Sequence, residues 1–150
     1  MSPELQLVKL SPTADSRLRW ADGSLKGVKM LRFFKGEVQS PHHRTTWPGA
    51  QLDALGWADG DAVRNKGGIH AIWPPGVDDD NKAFAEWQQY APQRKDEFTV
   101  LVQGWGRSIM GDVGWRAEHV KLRSIISPPR SGAYKLRQWC REHGVNWSVL

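Results

Sequence analysis

The chain has 150 residues, 39% hydrophobic and 25% charged, the size and composition of one ordinary soluble domain. A single cysteine excludes a disulfide framework and a cysteine-rich zinc site, and points to a reducing cytosol. The net charge of +5 admits an anionic partner, while no apolar run approaches the roughly 20 residues that span a bilayer and "MSPELQLVKL" has no signal-peptide pattern.

Residues 1–16 hold Pro3, Pro12 and small polar residues, and read as an irregular arm on a single domain spanning 1–150. Leu25–Phe34 (LKGVKMLRFF) reads as a strand. Val28, Met30, Arg32 and Phe34 alternate with Lys29, Leu31 and Phe33, and both faces are largely apolar, as in a strand covered on two sides. Lys35-Gly36 turns the chain into Glu37–Ser40, its hairpin partner. Ser40–Gln51 has two prolines, a glycine and no period, and reads as a loop; residues 52–66 show no sustained period either. Gly68–Trp73 is a short strand closed by Pro74-Pro75-Gly76, because proline donates nothing to a ladder.

Asp78–Ala91 predicts a helix, about 79–91, in which Asp78 or Asp79 caps free N–H groups and Pro92 stops the run. Ala83, Phe84, Trp87 and Tyr90 or Ala91 line its apolar face. Glu97–Gly106 and Gly114–Ile126 predict a long antiparallel hairpin, about 97–126, with Met110-Gly111-Asp112 at its tip. Alternation puts Arg116, Glu118, Val120 and Leu122 on one face of the second strand, and Trp115, Ala117, His119, Lys121 and Arg123 on the other. Ser131–Gly144 predicts a second helix, about 132–143, with Ser131 as N-cap and Gly144 closing it; Trp147 and Leu150 would dock the tail. This order predicts an α+β domain: a mostly antiparallel twisted sheet with one long hairpin, covered by two helices.

The catalytic and nucleotide-binding motifs with fixed spacing do not occur: there is no P-loop, no G-x-G-x-x-G, no H-E-x-x-H and no G-x-S-x-G. His42 and His43 are adjacent and project apart, with no further Cys or His at ligand spacing, so no metal site is expected. His70 is expected as a half-buried strand histidine, and a pocket on its face would give it a chemical role. Arg116 and Glu118 lie two apart, side by side on a strand: a surface ion pair, or a carboxylate held by a cation and aimed at a ligand. Nine tryptophans are unusual. Trp73, Trp87, Trp105 and Trp139 fall on apolar faces and are expected in the core. Trp47 and Trp57 fall in loops, where exposed indoles anchor partners or, equally, indoles cap the sheet edge with one partner for the N–H. Basic groups interleaved with aromatics, as in Arg44, Trp47, Arg64 and Trp73, suit stacking of single-stranded bases. The positive charge is concentrated in residues 98–150, with eight basic groups against three acidic.

Five blocks together resemble a domain of uncharacterised function found in small proteins of actinobacteria and their phages. They are Gly27-Val28-Lys29, Trp47-Pro48-Gly49, Gly68-Ile69-His70-Ala71, Trp105-Gly106-Arg107 and Gly114-Trp115-Arg116-Ala117-Glu118. The resemblance covers roughly residues 27–126 and implies a source and a fold unit, not an activity. Lys66-Gly67 stand where that family often has a cysteine. A more distant likeness is to the poly-ADP-ribosyltransferase core, through Gly68–Ala71 followed by a helix ending in Tyr90. It implies an NAD-using enzyme with His70 at the nicotinamide pocket, Tyr90 stacking and Glu118 as the strand glutamate. Here His70 stands for the family's tyrosine, and Trp87 for the serine before Tyr90.

The expected function is that of a small cytosolic accessory protein, of phage or actinobacterial type, that binds a host protein without catalysis or cofactor. Its expected anchors are Arg44, Trp47, Trp57, Arg107 and Arg116. The alternatives are the NAD-dependent enzyme and a basic nucleic-acid-binding module.

Overall fold

A computed structural model describes residues 18–40, 45–54, 68–74 and 94–148. Strand β1 (Leu25–Phe34) turns at Lys35-Gly36 into β2 (Glu37–Gln39). Lys35 and Gly36 have φ of 52° and 78°. Positive φ at both central residues marks the two-residue turn whose twist matches a hairpin, and Phe34 pairs directly with Glu37 across it. Next come β3 (Gln51–Asp53) and β4 (Ile69–Ile72), then the long pair β5 (Glu97–Met110) and β6 (Gly114–Ser127). Helix α1 (Ala133–His143) and the short β7 (Asn146–Trp147) complete the described chain.

Every strand pair is antiparallel except β6 with β7. β1 pairs with β5, β5 with β6, β6 with β4, and β4 returns to β1 through Val28 and Ile72. Four strands thus close a ring, which leaves no open edge along that circuit. The sheet is mostly antiparallel and centred on the 97–126 hairpin, as the alternation predicts. The expectation of two covering helices is corrected: α1 is the one helix with complete bounds among the described residues, and the run 79–91 lies outside them.

The ring closes around Trp115, which is 2% exposed. Its indole lies against the backbone of two glycines on neighbouring strands. A Cβ on Gly27 would come within 2.7 Å of the ring, and one on Gly104 within 2.3 Å. No larger residue fits either place without moving the indole. The Trp115 N–H donates to the Lys26 carbonyl at 3.0 Å, so its polar atom is satisfied inside the core. Leu31, Phe98, Val100, Val102, Ala117 and Leu122 fill the rest of this interior. Leu136 and Cys140 add the buried side of α1. Burial pushes the Cys140 thiol up to about 12, which makes it an inert apolar group.

Three irregularities break the β5–β6 ladder. Two place an extra β6 residue, Arg123 and Ile126, outside the pairing, which leaves Ile126 40% exposed. In the third, Gly106 and Arg107 of β5 face Glu118 alone. The buried face of β6 changes phase opposite that site, from Trp115 and Ala117 to Val120 and Leu122. The face assignment from strict alternation is therefore corrected: Arg116 and Glu118 do not share a face with Val120 and Leu122.

Local expectations at the helix and loop also change. Gly132, not Ser131, occupies the N-cap of α1, with no side-chain cap; the Ser131 N–H donates instead to the Lys95 carbonyl. Gly144 does close the helix, in the left-handed conformation. The stretch 51–53, read as irregular, is a strand held by β6. No helix among the described residues is long and apolar enough to cross a membrane.

Candidate functional site

An open groove of about 640 Å³ lies on the outer face of β5 and β6. Its floor is Gln103, Gly104, Trp105 and Gly106 of β5, with Lys121 and Gln51 on the β6–β3 side. The turn before β1 builds the opposite wall from Arg19, Asp22, Gly23 and Ser24. That turn is locally determined. Asp22 accepts from the Ser24 N–H at 2.9 Å, from the Ser24 hydroxyl and from the Gln103 amide at 2.8 Å. These donors, Ser24 foremost, hold the Asp22 carboxyl below its usual range. Arg19 Nη1 closes the loop by donating to the Gly23 carbonyl at 2.8 Å.

Cations outnumber carboxylates around the groove. Arg19 and Lys121 line it against Asp22 alone. Beside it the Trp20 indole donates to the Val102 carbonyl at 3.2 Å, with Lys26 4.8 Å and the Arg123 guanidinium 5.2 Å from its ring centroid. Cation–π contact gathers two further positive groups at this rim. Arg123 reaches it because it is bulged out of the ladder, and it donates to Gln103 at 3.3 Å.

The bulge at Gly106 forms one end of the groove. Gly106 has φ 85°, a conformation that a side chain strains. Glu118 fits into the irregularity: it accepts the Arg107 N–H at 2.7 Å on Oε1 and the Arg107 guanidinium at 3.1 Å on Oε2. These Arg107 bonds hold the Glu118 carboxyl below its usual range. Both oxygens are thus engaged in holding the bulge.

The sequence-derived site residues scatter. His70 pairs with Arg116 across β4 and β6, and Lys29 donates to the His70 carbonyl at 2.6 Å. Burial first, then Lys29 and Arg116, push the His70 imidazole down to about 4, so it is neutral at physiological pH. Burial and Arg116 push the Lys29 amine down to about 8. His70 therefore has two basic groups as its charged neighbours, while the Glu118 carboxylate is turned to Arg107 on β5. Tyr90, Trp57 and Arg44 lie outside the described residues. Trp47 is corrected from exposed anchor to core: it is 2% exposed, and its N–H meets the Val38 carbonyl at 2.8 Å through the backbone. Trp105, expected in the core, is half-exposed in the groove. Among the described residues no group of three or more His, Cys, Asp or Glu could hold a metal ion.

Sequence reading missed Trp20, Asp22, Gln103 and Lys121. The Asp-Gly-Ser turn at 22–24 was a usable signal for the wall; the rim residues meet only through the β1–β5–β6 pairing. No protein-family model matches the chain, and no curated protein or solved structure matches it.

Proposed function

We propose that the groove binds the phosphate backbone of a nucleic acid. The observation that carries the reading is the juxtaposition of Arg19 and Lys121 across an open groove, with Lys26 and Arg123 gathered on Trp20 at its rim. Cations arranged along a groove follow a charged polymer and release its counterions. Asp22 opposes this, but three donated hydrogen bonds already disperse its charge. Fluorescence anisotropy with labelled oligonucleotides over a salt series tests it. Affinity should fall linearly in log–log form, and Lys121→Glu with Arg123→Glu should weaken binding at least about tenfold. Salt-independent binding, or none at low salt, would end the proposal.

A protein partner is the second reading. It is favoured by Tyr134, 83% exposed on α1 beside the exposed Lys135, Arg137 and Arg141. Aromatic and arginine side chains are enriched at contact sites between proteins. Crosslinking from position 134 in a host lysate, lost in Tyr134→Ala, tests that surface. The NAD-dependent reading draws least from the geometry, since Glu118 supports the bulge. NAD turnover abolished by Glu118→Ala would revive it.

A further inference from the structure

We infer that Trp105 is a base-stacking platform, and that the groove accepts single-stranded nucleic acid in preference to duplex. This rests on the groove reading above and specifies its ligand.

The platform is assembled from three strands. Trp105 ends the regular part of β5, directly opposite His119 of β6. The two rings stack with centroids 5.6 Å apart and planes 29° from parallel. His119 is opposite Asp53 of β3, and its Nδ1 lies 2.8 Å from the Asp53 carboxylate. Gln51 donates to the same carboxylate oxygen at 2.9 Å. The Gln51 contact first, then His119, hold the Asp53 carboxyl below its usual range, so it stays an anion at the back of the stack. Asp53 thus fixes the imidazole, and the imidazole backs one face of the indole.

Trp105 lines the groove between Gly104 and Gly106. The bulge also sets the place: Gly106 has φ 85°, and a Cβ there would meet the His119 ring at 2.8 Å. Trp115 and Trp73 are buried, with their N–H groups donating to backbone carbonyls, whereas Trp105 is only partly buried and lines the groove. A backed, partly exposed indole beside Arg19 and Lys121 suits a base whose phosphates lie on those cations. In a duplex the bases are stacked on each other and an aromatic plate cannot reach their faces; only a splayed strand satisfies plate and cations together.

The test is equilibrium anisotropy with oligonucleotides of about 12 residues: a thymine strand, the same backbone without bases, and a duplex of equal length. The wild-type chain should bind the thymine strand tightest. Trp105→Ala should weaken that complex by about ten- to a hundredfold, leave the salt slope unchanged, and bring it level with the abasic strand. Trp105→Phe should recover most of the loss. The abasic strand removes the stack from the ligand side, so the outcome does not depend on how well the alanine variant folds. Equal binding of duplex, abasic and thymine strands would overturn the platform and leave the groove reading intact. Binding of none of them would remove both.

Discussion

Two tryptophans ten residues apart in sequence, on adjacent strands, meet opposite environments. Trp115 is enclosed between Gly27, Gly104 and Ala71, with its N–H satisfied at Lys26. Trp105 sits one residue beyond Gly104 on the other side of the same strand, half-exposed and backed by His119. The missing Gly104 side chain admits Trp115 from the inside, where a Cβ would come within 2.3 Å of its ring. The difference teaches that an indole's role here is set by what its strand neighbours leave out. A glycine pair makes a socket on one face; a bulge and a pinned histidine make a plate on the other.

This contrast can be broken in stages. Trp115→Ala should cost about 3–5 kcal/mol, because it empties the centre of the ring; urea melts measure it, and a loss below about 1 kcal/mol would contradict the central packing. Next in size is a pH effect at the β4 side of the ring, where His70 sits next to Ala71. In the unfolded chain His70 takes up a proton as pH falls through 6.5, whereas in the fold it resists until about 4. Its contribution is therefore complete above pH 6.5, is lost as pH falls, and levels off below about pH 4, with up to about 3 kcal/mol at stake. His70→Gln should flatten that slope in melts recorded from pH 7 to pH 4.

Gly104→Ala should cost about 1–3 kcal/mol by pressing on Trp115, with binding reduced only as far as the floor shifts. If its stability matches wild type in thermal melts, the socket is looser than its 2.3 Å approach implies. Smallest in stability should be Trp105→Ala, at under about 1 kcal/mol, since a half-exposed ring leaves no closed cavity. That variant should separate the two tryptophans: nearly intact melting, strongly impaired binding of a single strand. A melting loss equal to that of Trp115→Ala would make Trp105 a core residue.

The elements with a clear period were legible. β1 has the bounds of the apolar run 25–34, and the 97–126 hairpin and the 132–143 helix follow their alternation and helical spacing. The site was not. Strict alternation on β6 fails where β5 inserts Gly106 and Arg107, because an unpaired residue on one strand shifts the register without marking its partner's sequence. β3 was invisible because three residues carry no period, although Gln51 and Asp53 are what pin His119. Trp47 looked like a loop anchor because it lies between prolines and a glycine, yet the bridge of Gln39 to Thr46 draws it inside.

The sequence by itself determined a small α+β chain built on one long hairpin, with excess positive charge toward its C-terminal third. Periodicity and charge are local properties, and each is written in neighbouring residues. Tertiary structure decided which indole is core and which is surface, which carboxylate is engaged, and which cations share a groove. Arg19, Trp105, Lys121 and Asp53 are far apart in the chain and meet only because β1, β5, β6 and β3 lie side by side. Their association is a consequence of register, which bulges and glycine contacts fix and hydrophobic alternation does not record.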